Sequence, residues 1–107
     1  MVVSRMDKID ELVKNEMSKE VRELFPDVIM SITQVNISKD LSNAKVWVSA
    51  LDRTKEAAKL CQNESFIIRK KLAGKLELRR IPQFHFVPDF TGEEASKIDR
   101  LIEKIKD

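Results

Sequence analysis

The stretch "QVNISKDLSNAKVWVS", residues 34–49, decides the fold. Val35–Ile37 and Val46–Val48 alternate apolar and polar side chains, the mark of strands that bury one face. Between them lie Ser, Asp and Asn, residues that favour turns. The two runs therefore form a hairpin. Leu41 breaks the pattern, because connecting loops normally lie on the surface. Asp40 can bond backbone amides ahead of it and turn the chain. Leu41 can then fold inward as a plug at the end of the sheet. On that reading Leu41→Ala costs about 2 kcal/mol or more.

Upstream of the hairpin, "VIMSITQVNIS" changes its alternation. Val28, Met30 and Ile32 share one parity, Val35 and Ile37 the other, which points to a bulge or a strand that starts late. Downstream, Ala44, Val46, Val48 and Ala50 share one face, and Lys45, Trp47, Ser49 and Leu51 the other. Before the hairpin, Met6, Ile9, Val13, Met17, Val21 and Leu24 recur at helical spacing over about 5–24. Pro26 ends that helix by disfavouring helical backbone at Phe25. After the hairpin a helix starts near Arg53, capped by Asp52 or Thr54. Ala57, Leu60 and Cys61 lie on one of its faces. "QNES" at 62–65 interrupts it with residues that favour helix ends. The next helix aligns Ile68, Leu72 and Leu76 and runs to about Leu78. Gly74 sits inside it at a cost of roughly 1 kcal/mol relative to Ala.

Pro82 leads into a third strand, with Phe84 and Phe86 on one face and His85 on the other. "DFTGEE" makes a turn in which Thr91 and Glu94 have capping-box spacing. Ala95, Ile98, Ile102 and Ile105 form the inner stripe of a last helix. The order is helix, strand, strand, helix, break, helix, strand, helix. A hairpin joined by a helical crossover to a third strand predicts an α+β fold. Its three-stranded sheet carries helices on one face and leaves the other open, with Trp47 and His85 on the open side. Trp47 either packs there or stacks on a base.

The chain of 107 residues allows one domain, 1–107, with one modest core. Hydrophobic residues make up 42% and charged residues 36%, a mixture that can fold. No apolar run approaches the roughly 20 residues that span a bilayer, and the start lacks a signal peptide's apolar stretch. One cysteine excludes an internal disulfide. A cytoplasmic protein without membrane attachment is the simplest reading.

Chemistry-bearing constellations are scarce. One His and one Cys cannot build a structural zinc cluster, and Cys61 sits on an apolar helix stripe as a packed thiol. Gly74 and Gly92 are the only glycines, which excludes glycine-rich phosphate loops. Glu93 and Glu94 serve as favourable charge at a helix start. No active site, metal, cofactor or small-molecule substrate is expected.

The charge is placed unevenly. Net charge is only +2, yet residues 66–80, "FIIRKKLAGKLELRR", hold six basic residues and one acidic one. Residues 1–27 and 81–107 each carry net −2. Such a local stripe attracts a polyanion. Lys71 and Lys75 lie one helical turn apart, and Arg79 follows if the helix persists. Reversing those three charges is expected to spare the fold and to lower binding by orders of magnitude.

Several stretches together resemble the ribosome-binding factor A family. The hairpin is similar to that family's pattern through Val35, Ile37, Ser38, Asp40, Leu41, Ala44, Lys45, Val46, Trp47 and Val48. Asn36 departs from its usual acidic residue. "LELRRIPQFHFVPD" resembles a second family run through Leu78, Arg79, Pro82, Phe84, Phe86 and Asp89. The opening "RMDKIDELVKNEM" looks like the family's basic first helix, with Arg5, Lys8, Ile9 and Val13 in matching places. The resemblance spans nearly the whole chain in the right order.

The resemblance implies a single KH-like domain of the bacterial type (type II), with a C-terminal helix. It implies an assembly factor that binds the small ribosomal subunit through its rRNA and assists late rRNA maturation. It implies neither an enzyme nor a cofactor, and a monomer is expected. RNA contact is expected from Arg69, Lys70, Lys71, Lys75, Arg79 and Arg80, joined by Lys45, Arg5 and Lys8. A KH domain clamps RNA with a Gly-x-x-Gly loop, which is missing here. The family's interhelical Ala-x-Gly is replaced by Glu64-Ser65-Phe66. Glu64 repels phosphate there, and Asn63 or Ser65 is expected to cap the next helix. The alternative is a protein-interaction module without RNA contact, using the open sheet face or the C-terminal helix.

Overall fold

A computed structural model describes the backbone of residues 5–76 and 80–106 and the side chains of residues 8–76 and 80–98. The elements are α1 (Arg5–Leu24), β1 (Met30–Ile37), β2 (Asn43–Ala50), α2 (Thr54–Asn63), α3 (Ser65–Lys75), β3 (Gln83–Asp89) and α4 (Thr91–Lys106). The sheet order is β1-β2-β3, with β1 antiparallel and β3 parallel to β2. This is the expected KH-like α+β arrangement.

The hairpin pairs Val35 with Val46 and Ile37 with Ala44. Its register shifts between Ile32 and Gln34, so Thr33 is the extra residue of a bulge. The bulge returns both Ile32 and Val35 to the buried face. The parity change in the sequence was this bulge. Thr33 also ties the sheet together, because its hydroxyl donates to Asp89 Oδ2 at 2.8 Å.

Apolar residues on the inner face of the sheet meet the stripes of α1, α2 and α3. Val13 and Met17 of α1, Val46 and Val48 of β2, Cys61 of α2, and Ile68 and Leu72 of α3 are all fully buried. Burial pushes the Cys61 thiol up to about 12, so it is an inert packing group. Two side chains satisfy the sheet's outer edges. Asp10 Oδ1 accepts from Ile37 N at 3.1 Å on the β1 edge. Gln62 accepts from Phe86 N at 2.8 Å and donates to Phe84 O at 3.3 Å on the β3 edge. A residue read as a mere helix interruption therefore closes an exposed strand edge.

The hairpin turn carries the leucine as a half-buried side chain packed against the core. Leu41 has φ 61°, the left-handed region that a leucine rarely adopts. Asp40 Oδ1 holds the turn by accepting from Ser42 Oγ at 2.6 Å, Ser38 Oγ at 2.7 Å and Ser42 N at 3.1 Å. Leu41 N adds a bond to Ser38 O at 2.9 Å.

Four expectations are corrected. Neither Asp52 nor Thr54 caps α2 with its side chain. Arg53 instead turns the chain at φ 56°, the Thr54 hydroxyl donates to Ala50 O at 3.2 Å, and Glu93 approaches Thr54 N at 3.5 Å. The α2–α3 break lies at Glu64, whose φ −102° and ψ 15° bend the chain without a side-chain cap from Asn63 or Ser65. The helix α3 ends at Lys75, not Leu78, because Leu76 is already extended. In α4, Ala95 is exposed and Ile98 is 56% exposed, so they do not face the core. Glu94 N bonds Phe90 O at 2.8 Å, so Phe90 rather than Thr91 is the N-cap residue of α4. The start of α4 instead lies against the end of β2, with Gly92 close to Ser49 and Ala50. Ile102 and Ile105 lie outside the described side chains.

Candidate nucleic-acid interface

The basic stripe is divided by the fold. Helix α3 buries Ile68 and Leu72 against the core, and this sets the direction of every other side chain on it. Arg69 and Lys70 emerge on the side facing the start of β3. Lys71 and Lys75 emerge toward α1. There Glu20 is 0% exposed, with Lys75 paired to its Oε1 and Lys71 Nζ 3.9 Å from its Oε2. The hydrogen bond to Glu20 holds the Lys75 ammonium above its usual range, reinforced by the nearby charges of Glu20, Glu23 and Glu16. Both lysines therefore neutralise a buried acid and are only partly available to another anion.

Arg69 is positioned differently. Its Nε and Nη2 donate to Ile81 O at 3.3 and 2.9 Å. A guanidinium has five N–H donors, so three remain after this anchoring. Arg69, Lys70, Phe66, Ala73 and Ile81 line an open groove of about 450 Å³. A second hollow of about 230 Å³ shares Phe66 and Arg69 and continues along β3 to Gln83 and His85. Phe66 is 74% exposed at this junction. An exposed ring beside two cations, near the polar side chains at the start of β3, can stack a base while the cations hold phosphates. Phe66, Gln83 and His85 did not stand out as site residues in the sequence. The available signal was an aromatic at the helix break with cations one helical turn further on, at Arg69 and Lys70.

The remaining expected site residues are scattered. Arg80 is exposed and precedes Ile81 in the chain. Lys45 stands on the open sheet face with its ammonium 5.0 Å from the Trp47 ring centroid, a cation–π contact. His85 pairs across from Lys45 in the β2–β3 ladder, and its Nε2 lies 2.9 Å from Asn43 Oδ1. Lys8 is exposed on α1. Arg5 opens α1, but its side chain lies outside the described residues, as does Arg79 altogether. The fold thus brings Arg69 and Lys70 together along one groove, turns Lys71 and Lys75 toward Glu20, and leaves Lys45 on another face.

Among the described residues no group of His, Cys, Asp and Glu could hold a metal ion, and no helix is long and apolar enough to cross a membrane.

The ribosome-binding factor A family model matches residues 5–102. A ribosome-binding factor A from Methylobacillus flagellatus is 32% identical over 105 residues, covering 94% of this chain and 84% of that protein. The crystal structure of ribosome-binding factor A from Thermus thermophilus superposes with a TM-score of 0.74 at 22% identity, covering 79% of this chain and 97% of that one. The Thermus protein has also been fitted, as a homology model, into the cryo-electron-microscopy map of its 30S complex. That chain matches with a TM-score of 0.66 at 24% identity, over 75% of this chain and 90% of its own.

Proposed function

Because the chain belongs to the ribosome-binding factor A family, we propose that it binds the small ribosomal subunit as a monomeric, single-domain, cytoplasmic assembly factor. It contacts the rRNA directly and assists the late maturation and processing of that RNA. It acts by binding, without catalysis or a cofactor. The observation that carries the RNA contact is the groove at the start of α3. Exposed Phe66 stands there beside Lys70 and an Arg69 guanidinium already anchored on Ile81 O. Anchoring removes rotamer freedom before binding, so less is lost on contact with phosphate.

The groove takes the place of a Gly-x-x-Gly clamp. Without that clamp, and with no Tyr and one Trp in the chain, selectivity rests on phosphates and RNA shape, and Phe66 adds sequence-tolerant stacking. The test is co-sedimentation with immature small subunits, mature small subunits and joined ribosomes, with a short unstructured oligonucleotide as competitor. Retention on small subunits, unaffected by the oligonucleotide, is the expected result. Equal competition by the oligonucleotide contradicts recognition of a folded particle.

A further inference from the structure

A second groove lies near the other end of α2. Ile29 and Val28 ahead of β1, Leu51 after β2, and Leu60 with Ala57 on α2 form its apolar lining, around a volume of about 510 Å³. Ile29 is 81% exposed and Leu51 58% exposed. These are neighbouring apolar side chains, and contiguous exposed patches of this kind mark interaction sites. Asp27, Asp52 and Glu56 also line the groove, against Arg53 as its single cation. Glu56 alone could be explained as charge at the start of α2. Asp27 comes from a different segment, so helix capping does not account for the acidic rim.

We propose that this groove docks a protein segment with two or three apolar anchors flanked by Lys and Arg. The apolar floor takes the anchors, and the acidic rim pairs with the flanking cations. The same rim repels the phosphates of RNA and of anionic lipid. It also opposes a symmetric pairing of two copies, which would bring acidic rims together. The groove begins at the first turn of α2, whereas the cationic groove lies beyond its last residue, so both surfaces can be occupied at once. This docking site stands independently of the RNA contact at Phe66, Arg69 and Lys70.

The probe is a short fluorescein-labelled peptide of Leu and Lys with helical spacing, compared with its Leu–Glu and Gln–Lys counterparts. Binding is read by anisotropy and by amide chemical-shift mapping on the whole chain. The Leu–Lys peptide is expected to bind and to shift the amides of Val28, Ile29 and residues 51–60. The other two are expected to bind at least about tenfold more weakly. Ile29→Ser with Leu51→Ser should weaken binding about tenfold or more, as removal of buried anchors does. Both side chains are exposed, so the fold is retained, which circular dichroism verifies. Asp52→Lys with Glu56→Lys should lower affinity for the Leu–Lys peptide and raise it for the Leu–Glu peptide. Any of three results overturns the proposal. They are peptide shifts confined to α3, equal binding of all three peptides, and concentration-dependent shifts at Ile29 without peptide, which would assign the groove to a second copy.

Discussion

The Lys75 ammonium on α3 is paired with the fully buried carboxylate of Glu20 on α1. A buried carboxylate is tolerated only with a partner, so this contact joins the two helices and cannot be lost freely. Lys71, 3.9 Å from the other oxygen of Glu20, supports it. The basic stripe thus serves two ends, with its α1 side internal to the fold and its β3 side open.

Charge reversal at Lys75 is therefore a folding mutation. Lys75→Glu is expected to lower the thermal midpoint markedly, because two acids then face each other. Lys70→Glu should stay within about 0.5 kcal/mol of wild type. Adding Glu20→Gln to Lys75→Glu should restore much of the loss. Thermal denaturation of the four proteins checks this, and equal midpoints for Lys70→Glu and Lys75→Glu would reject it.

The same pair sets an alkaline limit. Glu20 raises the Lys75 ammonium above its ordinary 10.5. A raised folded value stabilises fully below the unfolded value and is lost as pH rises through the folded one. Denaturation midpoints measured upward from pH 10 should fall faster for wild type than for Glu20→Gln. Parallel curves would contradict the pairing.

Asp40 gives the matching acid response. Hydrogen bonds from the Ser42 and Ser38 side chains, then the Ser42 amide, lower it from 3.8 to about 2. A depressed folded value stabilises above the unfolded value and is lost as pH falls toward the folded one. Wild type should lose stability relative to Asp40→Asn between roughly pH 4 and pH 2. Urea midpoints across that range test it, and a constant difference would show that the turn does not depend on the carboxylate.

Gly74 offers a stabilising change. It lies in α3 without positive φ, and an added Cβ meets nothing within 4 Å. Gly74→Ala should gain about 0.5–1 kcal/mol through helix propensity. Gly92→Ala should not, because its Cβ would approach Ser49 Oγ to 2.8 Å. Chemical denaturation of both variants separates the two cases.

The sheet and its inner face were legible because alternation is a local signal. Val46, Val48 and Ala50 fall inside as their spacing requires, and the change of parity at Thr33 disclosed the bulge. Leu41 was legible through Asp40, although its half-buried side chain makes a weaker plug than a core leucine. What the sequence hid was tertiary. Whether Lys71 and Lys75 meet solvent or Glu20 depends on how α1 crosses α3, which charge spacing along one helix does not encode. The exposed face of Ile98 likewise depends on where the Asp89 turn sends α4. Phe66 looked like a lost glycine, and only the groove beside Arg69 reveals it as a stacking surface.

The most direct test of the RNA contact is the salt dependence of binding to small subunits for Lys70→Gln and for Arg69→Gln with Lys70→Gln. Lys70 makes no ion pair among the described residues, so its loss leaves the fold intact. Each lost phosphate contact should reduce the slope of log affinity against log salt by about one unit, with weaker binding at low salt. Phe66→Ala should weaken binding while leaving that slope unchanged. Folded variants that bind with wild-type affinity and wild-type slope would contradict an RNA interface at Phe66, Arg69 and Lys70.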